Sequence, residues 1–117
     1  MATASSIAFK KLGNTVVVAA AAAAPTGKQA PVTTAALIAA GNYRIINPSS
    51  SVTVFLGTGV DAAAAQASAV APTAGTPSSA LVLIPGTVEV LSFADDVYFS
   101  GLAASAVSIY ITPGRGM

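Results

Sequence analysis

In Val107-Ser108-Ile109-Tyr110-Ile111-Thr112 the aliphatic side chains occupy every second position. Successive side chains of a strand point to opposite faces, so this segment has one wholly apolar face and one carrying Ser, Tyr and Thr. The apolar face needs a core, and that requirement commits the chain to a sheet. Pro113-Gly114 follows and is expected to stop the strand, because proline cannot donate to a ladder and glycine turns freely. The same texture extends back to Pro85. Runs of β-branched, Leu and aromatic residues are separated by Asp95-Asp96 and by Gly101 to Ser105, with Pro85-Gly86 ahead of the first. That spacing predicts consecutive antiparallel strands.

Upstream, Tyr43-Arg44-Ile45-Ile46 reads as a short strand stopped by Asn47-Pro48. Val52, Val54 and Leu56 share one face of the next, which Gly57-Thr58-Gly59 closes, and the short Ser-rich loop between the two predicts a hairpin. Leu81-Val82-Leu83-Ile84 is continuously apolar, as in a strand covered on both faces or buried at an interface. In Thr87 to Phe93 the alternation changes phase, Val88 and Val90 against Leu91 and Phe93, which predicts a bulge or a bend between sheets. Asp61 to Ala80 is a long stretch of small side chains. There Asp61 is a candidate cap for a helix over Ala62 to Ala71 ended by Pro72, with an extended crossing between sheets as the alternative. Pro31 to Ala40 is divided between a short helix capped by Thr34 and strand with loop, the second being preferred. Thr15 to Ala20 begins β-rich and decays into alanine, the best helix former. The sum is an all-β chain: an antiparallel β-sandwich or jelly-roll-like small barrel of about seven or eight short strands, with an extended N-terminal segment. Residues 1–24 are read as an arm or edge strand and residues 25–117 as a single sandwich domain.

Charged residues are 8% of this chain against roughly 25% in an average soluble domain, while hydrophobic residues are 54%. A folded chain of 11.3 kDa exposes about 5,700 Å². Nine charges are few for that area, and charge depletion is a mark of surface covered by other subunits. Ile7, Phe9, Lys10, Lys11 and Leu12 are the candidate inter-subunit contacts, since an arm packing on a neighbour would carry this mixture. Lys10-Lys11 ahead of Val16-Val17-Val18 and Ala19 to Ala24 imitates a leader peptide. However, Gly13-Asn14-Thr15 separates charge from apolar run, and that run stops at Pro25, far short of the roughly twenty residues that span a bilayer. The chain is therefore expected to be soluble and to have no membrane partner.

Several chemistries are removed by residue type alone. There is no His and no Cys, hence no common zinc ligand, imidazole base, thiol nucleophile or disulfide framework. Ser49-Ser50-Ser51 and Ser78-Ser79 have no base to activate them and read as polar loops. The acids are Asp61, Glu89, Asp95 and Asp96; calcium needs six or more oxygens, so Asp95-Asp96 reads as a turn. Gly57-Thr58-Gly59 and Pro113-Gly114-Arg115-Gly116 lack the lysine and helix of a phosphate loop and also read as turns. The basic residues Lys10, Lys11, Lys28, Arg44 and Arg115 are scattered and the net charge is +1, so no nucleic acid partner is expected. Tyr43, Phe55, Phe93, Tyr98, Phe99 and Tyr110 are spaced as strand residues for core or interface packing. No enzyme activity and no cofactor are expected.

The blocks Asn42 to Gly59, Leu83 to Ala104 and Ser108 to Gly116 resemble small virion proteins of tailed bacteriophages, which often end in a Thr-Pro-Gly-x-Gly tail. The likeness covers about Asn42 to Met117. It implies a β-sandwich structural protein on the capsid surface, a decoration or cement protein that binds major capsid subunits or other virion subunits. Such a protein is expected to be a homo-oligomer, dimer or trimer. Two alternatives stand beside it: a neck, tail or fibre component of the virion, and a secreted carbohydrate-binding or adhesive module with Tyr98 and Tyr110 as stacking platforms.

Overall fold

The structure, a computed structural model, describes residues 8–31, 41–93 and 97–115. The candidate contact Ile7, the alternatives for Pro31 to Ala40 beyond Pro31 itself, and the Asp95-Asp96 turn lie outside the described residues. Two antiparallel sheets pack face to face as a β-sandwich. In chain order the elements are β1 (Lys10–Lys11), β2 (Val16–Ala20), β3 (Lys28–Gln29), β4 (Asn42–Ile46), β5 (Val54–Gly59), α1 (Ala62–Ser68), β6 (Leu81–Leu83), β7 (Val88–Ser92), β8 (Tyr98–Ala103) and β9 (Val107–Arg115). One sheet runs β1-β9-β4-β7, with β2 also on β9; the other runs β3-β8-β5-β6.

The alternation in the last strand holds. Val107, Ile109 and Ile111 are buried and Ser108 and Tyr110 are exposed. Val18, Ala20, Tyr43 and Ile45 join them from one sheet, and Val54, Leu56, Leu83, Phe99 and Ala103 close the core from the other. The rings of Tyr43, Phe93 and Phe99 meet edge to face or tilted, with centroids 5.1 to 6.0 Å apart, which is the favoured geometry for aromatic quadrupoles.

Strand positions were more legible than strand partners. The expected hairpin of β4 and β5 does not form, because β4 lies between β9 and β7 while β5 lies between β8 and β6. Their loop crosses from one sheet to the other, so that both apolar faces turn inward against each other. The three closing strands β7, β8 and β9 likewise alternate sheets and do not pair with one another. Pro113-Gly114 does not end β9, which continues to Arg115. Leu12 donates its N–H to the Pro113 carbonyl at 2.9 Å, so the missing proline donor faces the irregular stretch between β1 and β2. The ladder from β9 to β4 therefore loses no hydrogen bond. The phase change in β7 needs no bulge: five consecutive pairs with β4 run in unbroken register. Leu91 and Phe93 pack against the core, whereas Val88 and Val90 lie on the outer face.

Gly57 and Gly59 are not a turn but part of β5. A Cβ at Gly57 would lie 2.5 Å from the Ala65 oxygen and the Ala69 nitrogen, and one at Gly59 would lie 2.6 Å from the Ala65 nitrogen. Glycine at both positions lets the alanine-rich helix rest directly on the sheet backbone. Asp61 caps that helix as its sequence position predicts, Oδ1 accepting the Ala64 N–H at 2.7 Å. The helix ends at Ser68, short of Pro72. Ser100 Oγ donates to the Pro25 carbonyl at 2.6 Å, and Gln66 Nε2 donates to that of Ala24 at 2.8 Å, fastening the segment before β3 beside the helix.

Candidate functional site

The two sides of the sandwich end differently. On one side β2 runs on from β9 to the other sheet, where Ala21 bridges Leu102 of β8 and accepts the Ala103 N–H at 3.0 Å. Main-chain bonds thus join the two sheets there. Lys10 and Lys11 of β1 and Lys28 of β3 lie along this side, all exposed, with Arg115 directly across from Lys10. Lysine on an edge strand is a recognised guard against pairing with another chain.

The opposite side is formed by β6 and β7, the last strands of their sheets, joined by residues 84–87. Here the expectation that Leu81 to Ile84 is covered on both faces fails within the chain, for β6 is an edge strand and only Leu83 is buried. Leu81 is 37% exposed, Val82 50%, Ile84 62% and Val88 56%. These four aliphatic side chains come from eight consecutive residues, and the only charge beside them on β7 is Glu89. The exposed surface continues across the outer face. Val17, Tyr110, Ile46 and Val88 stand in register on four neighbouring strands, making an apolar row that runs into the aliphatic edge.

Asn47 holds this corner in shape. It is fully buried, and its Nδ2 donates to the carbonyl oxygens of Leu83 at 2.9 Å, Val52 at 3.0 Å and Ile84 at 3.2 Å. Oδ1 accepts the Ser49 N–H at 3.1 Å. Its main chain donates to the Thr87 carbonyl at 2.9 Å and accepts from the Gly86 N–H at 3.0 Å. One residue therefore ties the loop between sheets to both ends of the β6–β7 connection, by its side chain at Leu83 and Ile84 and by its main chain at Gly86 and Thr87. Gly86, at φ +80°, supplies the left-handed residue that this turn requires.

The predicted contacts of the N-terminal segment separate. Leu12 is buried in its own domain, Phe9 is half-buried, and Lys10 and Lys11 are exposed and paired with β9 of the same chain. The aliphatic edge, which lies outside the contacts expected of the N-terminal segment, is the larger exposed apolar feature. Its signal was the unbroken run Leu81 to Ile84. Tyr110 lies on the outer face of one sheet and Tyr98 on the outer face of the other, beside Gly59, so the two do not share a platform. Among the described residues no three His, Cys, Asp or Glu side chains gather, and no helix is long and apolar enough to cross a membrane. A surface hollow of about 320 Å³ lies between the end of α1 and the following loop, lined by Ala67, Ser68, Val70, Pro77, Ser78 and Ser79. Its Ser78 hydroxyl is engaged internally, donating to the Val70 carbonyl and accepting the Ala80 N–H. The geometry leaves one side of the sandwich aliphatic and the other cationic. No family model, curated protein or solved structure matches this chain.

Proposed function

We propose that this chain is a non-enzymatic structural subunit of a virion, a capsid decoration protein that binds major capsid subunits and reinforces the head. The observation that carries the reading is the exposed aliphatic edge Leu81, Val82, Ile84 and Val88 on a surface of 6209 Å² served by nine charged residues. Exposed contiguous apolar surface marks interaction sites, and the resemblance of Asn42 to Met117 to phage virion proteins supplies the kind of assembly. Reinforcement of this type adds contact area between neighbours. Each 1,000 Å² of mostly apolar contact stabilises by about 25 kcal/mol gross, most of it offset by the entropy lost on association.

The test is to add the purified chain to phage heads that lack it, count bound copies, and follow DNA release on heating. Saturation at hundreds of copies per head with a raised release temperature supports decoration. Saturation near a dozen copies would move the protein to the neck or tail, and release at an unchanged temperature would remove the reinforcing role. Ile84→Ser and Val88→Ser should leave the fold intact and lower occupancy.

A further inference from the structure

We propose that two copies of this chain associate through the free edge of β7, antiparallel about a twofold axis at Val90, joining the sheets that carry this strand into one. The direction of the main-chain groups carries the argument. Phe93 donates to the Gly41 carbonyl at 2.6 Å and Asn47 donates to the Thr87 carbonyl at 2.9 Å, on either side of the register Tyr43–Leu91 and Ile45–Glu89. In an antiparallel ladder hydrogen-bonded pairs alternate with non-bonded ones. Residues 87, 89, 91 and 93 therefore turn their N–H and C=O groups toward β4, and Val88, Val90 and Ser92 turn theirs outward. Among the described residues no strand pairs with that edge.

Three outward-facing residues centred on Val90 are self-complementary. A twofold there pairs Val90 with the partner's Val90 and Val88 with the partner's Ser92, forming about six hydrogen bonds. It sets Glu89 opposite the partner's Leu91. Sliding the register so that Glu89 meets its own copy opposes like charges across the strands and makes fewer bonds, so the charge selects the Val90 register. Val88, Val90 and Ser92 keep their side chains on the outer face, where Val90 meets its own copy and Val88, the end of the apolar row through Ile46, Tyr110 and Val17, meets the partner's Ser92. A second copy rather than an unrelated strand is indicated by this self-matching and by the guard lysines, Lys10, Lys11 and Lys28, standing only on the other side.

The experiment is sedimentation velocity on the full chain at micromolar concentration, with two variants. The wild type is expected to sediment as a dimer. The chain has no cysteine, so Val90→Cys carries one thiol. In a hydrogen-bonded antiparallel pair the Cα atoms lie about 5.5 Å apart, within disulfide reach, and mild oxidation should link the dimer covalently. Ser108→Cys, at the middle of the outer face, should not link. Val90→Lys should raise the dissociation constant about a hundredfold or more by opposing two charges at the axis, with the β-sheet circular dichroism unchanged. A monomeric wild type overturns the proposal. So does a Val90→Cys dimer that does not cross-link, or a folded Val90→Lys chain that still dimerises. If Val90→Lys fails to fold, the cross-linking arm alone decides.

Discussion

Asn47 is the residue whose removal tests the architecture most directly. Replacing it with alanine keeps its main-chain bonds to Thr87 and Gly86 but deletes one acceptor and two donor protons shared among three carbonyls, one of them fully buried. A typical net hydrogen bond contributes about 1 kcal/mol, and a buried carbonyl left unpaired costs about 1 to 3 kcal/mol. The expected loss is therefore about 3 kcal/mol, or about 12 °C in Tm for a domain of this size. Urea unfolding followed by circular dichroism should show the midpoint falling with an unchanged slope. Asn47→Asp sharpens the test because it is isosteric and retains the acceptor for Ser49. Its second oxygen, however, would face the carbonyls of Leu83, Val52 and Ile84, so at neutral pH it should be less stable than the alanine variant. A carboxylate in that position is disfavoured relative to its protonated form, so the folded pKa rises above the unfolded value of about 3.9. The penalty is then complete above the folded pKa and fades as pH falls toward the unfolded one. An alanine variant within about 0.5 kcal/mol of wild type, or an aspartate variant that equals it at neutral pH and gains nothing in acid, would refute the reasoning.

Four further positions test the packing and the cap. Gly57→Ala must lift the helix from the sheet and should lose about 2 to 3 kcal/mol in thermal unfolding. Gly101→Ala, whose Cβ would meet Ala20 at 3.0 Å and Val54 at 3.3 Å, should lose less. Asp61→Ala removes the cap on Ala64 and should lower stability by about 1 kcal/mol, with Asp61→Asn restoring most of it; equal effects of the two would mean that the cap contributes nothing. Phe99→Leu breaks the edge-to-face contacts with Tyr43 and Phe93 and should cost about 2 kcal/mol by denaturant titration.

Which residues form strands was readable because burial imposes a period of two, and Val107, Ile109 and Ile111 could satisfy it in only one way. Which strands pair was not, since pairing depends on where a loop sends the chain. Asn47-Pro48 looks like an ordinary turn, and nothing local shows that Asn47 is buried with every polar group engaged. Gly57 and Gly59 mislead for a related reason. Glycines two apart mark a turn in isolation, but on one face of a strand they make a floor for a helix, and the alanines that use the floor come several residues later. Pro113 stops a strand only when its missing donor faces a paired neighbour. The aliphatic edge was half legible: the run Leu81 to Ile84 announced burial or an interface, and only the sheet order of the described residues puts it at an edge, with Leu81, Val82 and Ile84 exposed.

Asn47 also links folding to association. The corner it holds by hydrogen bonds carries Leu81, Val82, Ile84 and Val88, and a surface held in place before binding loses less entropy when it binds. If the β7 edge dimerises, the folded state is stabilised by mass action, and Tm must depend on protein concentration. For a dimer that unfolds to two separate chains, each tenfold rise in concentration stabilises the dimer by about 1.4 kcal/mol, or about 0.7 kcal/mol per chain. At about 4 °C per kcal/mol this shifts Tm by about 3 °C. A calorimetric series over a hundredfold range should therefore climb by about 6 °C for the wild type and stay level for Val90→Lys. A wild-type Tm that does not move would mean that the edge stands unpaired when the fold melts, and would refute the dimer.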